Sequence, residues 1–277
     1  MLRPLGLTFL LAAAGFAASF TGPTSVYYLS DSNTMYKVQG LNLLSQWAVS
    51  GTPGFDLPMA VSTEIHSTGR SQGTAGARYD LNGTYLGTTY TNPGYAGGGM
   101  DVWDGTTDTA HNYTVSTLCN LCGSDSSLIQ TDLDWSNSVV LFNIGAGYDS
   151  LGVTYDPTNN SLWVSKWNGG TTITDYTLSG TVITQFDAGF AQIGALAYDA
   201  ADDTLWATNF GSNALFQFNK SGTLLQSGTI AGLNSTTLWS GEMVQSAAQT
   251  GVPEPETLPL FGLGMGALAL VRRRRRG

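Results

Sequence analysis

Two stretches decide how this chain folds: Leu151-Gly-Val-Thr-Tyr-Asp-Pro-Thr-Asn-Asn-Ser-Leu-Trp-Val-Ser165 and Gly194-Ala-Leu-Ala-Tyr-Asp-Ala-Ala-Asp-Asp-Thr-Leu-Trp-Ala-Thr208. Tyr155 and Tyr198, Asp156 and Asp199, Leu162 and Leu205, and Trp163 and Trp206 all recur at an interval of 43 residues. Each unit continues into a second hairpin, where Asp175 to Ile183 matches Gln217 to Leu225 at an interval of 42. The polar centre of each first stretch is turn chemistry. Asp caps its own backbone, Pro presets φ and Asn tolerates a positive φ. The flanking residues alternate apolar and polar, as strands packed on neighbours require.

Weaker copies extend outward from this pair. Ser25 to Asp31 resembles the Trp-bearing strand, and Met35 to Leu44 the second hairpin. Arg78 to Leu86 repeats that hairpin, Met100 to Gly105 opens a longer copy, and Asp132 to Phe142 forms its outer part. Four short strands every 40–45 residues is the period of a β-propeller blade. The first copy lacks its innermost strand, and Thr236 to Gln245 falls where a circle-closing strand would come. Closure by the two termini removes open sheet edges. The expectation is an all-β chain with a five-bladed propeller over Val26 to Gln245, six blades and a β-sandwich or solenoid being the alternatives. At this level the repeats resemble the broad NHL-like and lactonase-like propellers.

Composition agrees with short strands joined by polar turns. Only 11% of the 277 residues are charged, there are 35 glycines, and 11% are aromatic. An average globular protein carries roughly 25% charged residues. The net charge of −9 hides an acidic body, because most arginines sit at the ends. Residues 20–250 hold five Lys/Arg against 18 Asp/Glu, leaving −13. Such a surface repels phosphate backbones, which argues against nucleic-acid binding, and suits solubility outside the cell.

The ends read as sorting signals. Arg3, the apolar stretch Leu5 to Ala18 and the small residues Ala17-Ala18-Ser19 predict a secretory signal over residues 1–19 and export by the Sec machinery. Residues 249–277 form a tripartite tail behind a body of residues 20–248. Val252-Pro253-Glu254-Pro255 comes first, then the apolar run Leu258 to Val271, then Arg272, Arg273, Arg274, Arg275 and Arg276. This tail resembles the PEP-CTERM sorting signal. The resemblance implies recognition by an exosortase, processing near the Pro-Glu-Pro motif, and delivery to the cell surface or an exopolysaccharide matrix. The physics is compatible. The prolines hold the motif extended. The 14-residue run spans ~21 Å as a helix, short of a ~30 Å hydrocarbon core, so it predicts a short and transient membrane helix. The arginines stay cytoplasmic under the positive-inside rule, leaving the body outside.

Candidate chemistry in the body is sparse. Cys119 and Cys122 are the only cysteines and predict a local disulfide in an oxidising compartment. His66 and His111 lie beside Ser/Thr-rich turns and read as loop histidines. Asp101, Asp104 and Asp108, and Asp199, Asp202 and Asp203, could offer oxygens to Ca²⁺, but their spacing favours turn-making. No other cofactor or metal is expected. Glu64 and Glu242, the body's glutamates, fall in no recognisable catalytic set. Trp163, Trp167, Trp206 and Trp239 could stack on sugar rings, but Trp163 and Trp206 recur at one repeat position and read as core, whereas Trp167 is less constrained. The functional expectation is therefore a non-enzymatic binding or matrix protein, with extracellular polysaccharide or other surface proteins as partners. The alternative is a secreted propeller hydrolase or lyase with a channel metal.

Overall fold

A computed structural model describes residues 25–92, 101–117, 126–145 and 150–245. Its twenty strands form five four-stranded antiparallel sheets, the blades of a propeller. The second blade runs in chain order from inner to outer as β4 (Asp56–Val61), β5 (Ile65–Gly69), β6 (Ala75–Tyr79) and β7 (Tyr85–Thr91). The third is β8 (Asp101–Thr107), β9 (Asn112–Thr117), β10 (Ser126–Thr131) and β11 (Val139–Gly145). The fourth is β12 (Ser150–Asp156), β13 (Ser161–Lys166), β14 (Thr172–Thr177) and β15 (Val182–Asp187). The fifth is β16 (Ile193–Asp199), β17 (Thr204–Asn209), β18 (Ala214–Asn219) and β19 (Leu224–Thr229).

The first blade is made by both ends of the body. β1 (Val26–Ser30), β2 (Thr34–Gln39) and β3 (Asn42–Ala48) supply its three outer strands. β20 (Ser240–Met243) supplies the innermost, pairing Tyr27 with Met243 and Ser30 with Ser240. The predicted closing strand is thus in place, and the count is five blades.

The repeat is visible in the backbone. The inner pair of blades two to five carries the same register shift, at Asp56/Met59, Val102/Gly105, Ser150/Val153 and Ile193/Leu196. The outer pair shifts too, at Lys37/Val38, Arg78/Tyr79, Leu128/Ile129, Asp175/Tyr176 and Gln217/Phe218. A bulge bends an edge strand away from further pairing, so each outer rim is protected even where it exposes Leu44, Leu86, Ile183 or Leu225. The turn residues Asn160 and Asp203, 43 apart, both take positive φ (51° and 59°).

Apolar contacts lie chiefly between blades. Trp163 fills the interface of the fourth and fifth blades with Tyr198, Leu205 and Phe218. Trp206, its repeat partner, fills the next interface with Tyr27, Leu29 and Val38. Both indoles are fully buried, which settles them as core. The outer strands of the first, third and fourth blades also reach the next blade's hairpin turn. A Cβ on Gly83, Gly180 or Gly222 would meet Trp47, Phe142 or Phe186 at 2.6, 2.6 and 2.4 Å.

Candidate functional site

The five inner strands surround the axis, and a polar plug fills it. Counting from the shared bulges, Asp104 stands where the fourth blade has Gly152 and the fifth has Ala195. Its side chain is buried on the axis and gathers donors from three other blades. Oδ1 accepts from Ser240 Oγ (2.8 Å) and the amides of Gly241 (2.9 Å) and Gly105 (3.0 Å). Oδ2 accepts from the amides of Val153 (3.1 Å) and Leu196 (3.0 Å). Inner-strand amides facing a channel would otherwise be buried donors without acceptors, and each such loss costs about 1–3 kcal/mol. Burial pushes the Asp104 carboxyl up to about 7 against the pull of those donors. Asp104 is therefore neither a turn residue nor part of a cation cluster. Its surroundings are those of a bound anion.

One residue layer further along, Thr106 Oγ1 accepts the Tyr155 amide (3.0 Å) and Thr154 Oγ1 the Tyr198 amide (2.9 Å). Thr154 in turn donates to Glu242 Oε2 (3.0 Å), and Gln245 Nε2 to Glu242 Oε1 (3.0 Å). Glu242 is buried, and burial raises its carboxyl well above the ordinary glutamate range. Two carboxylates thus converge on the axis, which the sequence reading missed. Donors of the protein occupy both.

Above the plug, at the face where the inner strands begin, the described residues gather aromatic rings. Trp103 from β8 lies 4.9 Å from Trp239, centroid to centroid. Trp239 also packs against Trp167 (5.3 Å) and Phe210 (4.4 Å), which touch each other edge to face at 4.9 Å. Arg70 holds its guanidinium 4.8 Å over the Trp103 ring and 5.4 Å over Phe55. Arg70 also reaches Asp101 Oδ2 at 3.5 Å, and Ser71 Oγ donates to Asp101 Oδ1 at 2.5 Å. Trp103 is buried, whereas Trp167, Phe210 and Trp239 are partly exposed. Trp167, the less constrained tryptophan of the sequence, is brought against Trp239, which is far from it in the chain.

Comparison with known proteins bears on both parts of the chain. Residues 251–276 carry a PEP-CTERM protein-sorting motif. With that motif the protein is an exported substrate of exosortase processing, anchored transiently in the membrane, whose body is a β-propeller. No curated protein matches the chain. Among solved structures, a chain of a nidogen/laminin complex is similar at TM-score 0.53 and 12% identity, over 80% of this chain and 99% of that one. A functionally unknown protein from Desulfotomaculum acetoxidans is similar at TM-score 0.49 and 12% identity, over 82% and 88%. The likeness to the chain of the nidogen/laminin complex shows the fold alone.

The PEP-CTERM motif, with Val252 to Pro255 and Arg272 to Arg276, lies outside the described residues, as do residues 1–19, Cys119 and Cys122. The last described residue before it, Gln245, is fixed at the lower face through its amide to Val61 O (2.8 Å).

The remaining candidates separate. Asp108 caps the turn to His111, accepting the amides of Ala110 (2.7 Å) and His111 (2.6 Å) and the Tyr113 hydroxyl (2.6 Å). Asp199 accepts the Ala201 amide (3.0 Å), and Asp203 the Tyr198 hydroxyl (2.6 Å), so these make turns. Asp202 bonds Gln217 Nε2 at 2.8 Å. His111 stays at a turn, but His66 is not a loop residue. It sits on β5, with Nε2 2.6 Å from Glu64 Oε1 and Nδ1 3.2 Å from Leu133 O in the next blade. Arg78 grips both Glu64 oxygens at 2.8 Å. This row borders a cleft of about 330 Å³ reaching Asp134. Strand alternation, Glu64-x-His66 facing Arg78 across β5 and β6, was the signal that could have found it.

Proposed function

We propose that the protein is an exported, exosortase-processed component of the cell surface or extracellular matrix whose propeller binds rather than catalyses. Residues 1–19 act as the signal peptide, 20–248 as the delivered body and 249–277 as the sorting tail. Its partners are extracellular polysaccharide or other surface proteins, in the setting of exopolysaccharide or biofilm.

The observation that carries this reading is the state of the axis. A channel-metal hydrolase or lyase needs carboxylates turned toward a vacant position. Asp104 instead faces four backbone amides and a hydroxyl, an arrangement that repels a cation and holds an anion. Among the described residues, a cluster of partly exposed aromatic rings lies at one end of the axis, the kind of position where propellers present ligand-binding surface. Fold alone does not choose the ligand.

The test is deletion of Val252 to Gly277 in the producing cell. Surface level and processing of the chain are then followed by fractionation and immunoblot. The proposal expects the deleted chain to be released unprocessed and to disappear from the cell surface. Unchanged surface level would overturn it.

A further inference from the structure

We infer that the aromatic mouth is a binding site for a neutral saccharide. Trp167, Phe210 and Trp239 form its stacking floor, and the Arg70–Asp101–Ser71 group its hydrogen-bonding arm. The inference rests on reading the body as a binding module and adds the site and the ligand chemistry.

The mouth is built by the repeat. Pairing of the inner strands places Gly69, Lys166 and Asn209 at one blade position, opposite Asp56, Ser150 and Ile193. The next residue in each blade is Arg70, Trp167 or Phe210. Three blades therefore aim one large planar group apiece at the same opening, and the closing segment adds Trp239. The repeated core tryptophans, Trp163 and Trp206, are fully buried, but these rings keep exposed area. An aromatic surface left partly in water at the end of an axis is a place for a ligand.

Charge and hydrogen bonding then select the class. The body is strongly acidic, and Arg70 at this face is already paired with Asp101. A polyanion meets repulsion from the rest of the molecule. A wholly apolar partner would cover the Arg70 and Asp101 groups without replacing their contacts with water, which is costly. A sugar ring satisfies both demands. Its C–H face lies on an indole, and its hydroxyls both donate to Asp101 and accept from Arg70.

The test uses the purified full-length chain and oligosaccharides of neutral glucan, galactan and mannan, with alginate as the acidic comparison. Calorimetry should register at least one neutral oligosaccharide and no alginate. Trp167→Ala and Trp239→Ala should each weaken binding roughly tenfold or more. Trp167→Phe should restore most of it, and Tyr85→Ser on the outer rim should leave it unchanged. If an alanine variant fails to fold, hydroxyl-radical footprinting of the wild-type chain decides, with Trp167 and Trp239 expected to be protected by the bound sugar. The inference is overturned if no neutral oligosaccharide binds, if alginate alone binds, or if binding leaves both tryptophans unprotected. Chromatography of the recovered sugar separates this inference from the reading beneath it. Shortened product would end the non-catalytic reading while keeping the site, and absence of binding would end the site while leaving export and sorting untouched.

Discussion

Asp104 is the residue on which the inner strands of the third, fourth, fifth and first blades meet, through five donors to one carboxylate. Removing it orphans several buried amides at once. Asp104→Ala should therefore cost about 3–5 kcal/mol in urea unfolding, and Asp104→Asn, which keeps one acceptor oxygen, a smaller amount. A loss below about 1 kcal/mol for the alanine variant would show that the amides find other partners. A second residue-scale test compares hairpin glycines. Gly180 and Gly222 both sit at φ +85°, and a Cβ there would strike Phe142 or Phe186 of the preceding blade. Gly189, at φ +81°, has nothing within 4 Å of that position. Alanine at Gly189 should cost only the backbone strain, about 1 kcal/mol, and at Gly180 or Gly222 about 1–3 kcal/mol more. Thermal or urea unfolding of the three variants checks the order.

At the scale of elements, ring closure rests on the four residues of β20. Gly241 is the tight point, since a Cβ there would meet Leu29, Tyr27 and Ala195 at 2.6, 2.8 and 2.9 Å. Gly241→Val should unseat β20 from β1 and cost about 3 kcal/mol or more by overpacking, with faster amide exchange along Tyr27 to Ser30 as the local readout. Unchanged exchange in β1 would mean that β20 contributes little to closure. The closing strand, the blade count and the core role of Trp163 and Trp206 were legible in the sequence, because each is carried by spacing and by alternation within a repeat. The plug was not. Asp104 reads as one more turn aspartate until the shared bulges align it with Gly152 and Ala195, and its partners lie 49, 92 and 137 residues away. Glu242 was passed over for the same reason. The mouth was barely legible: Trp167 stood out as less constrained, but only the ring places it beside Trp239 and Phe210, with Trp103 and Arg70 next to them.

For the whole molecule, acidity inside and out makes stability depend on pH. Asp56 is fully buried on β4, and burial pushes its carboxyl up to about 8 against a smaller pull from the Ser67 hydroxyl, while Asp104 rises to about 7. Both lie above their unfolded value near 3.8. The folded chain then binds more protons than the unfolded one between pH 4 and 8, and stability rises as pH falls through that window. Below it, acids held low by their partners, such as Glu64 beside His66 and Arg78, are protonated and stability falls again. The melting temperature should peak near pH 5, and Asp56→Asn should raise it at pH 8 and flatten the slope; a maximum above pH 8 would contradict this. The central claim concerns the chain's fate, because we propose that two terminal signals deliver the propeller. The most direct measurement is the intact mass of the protein recovered from the surface of the producing cell. The account predicts a chain that begins near residue 20 and ends near Val252 to Pro255. A full-length chain of 277 residues, found inside the cell with Arg272 to Arg276 attached, would contradict it.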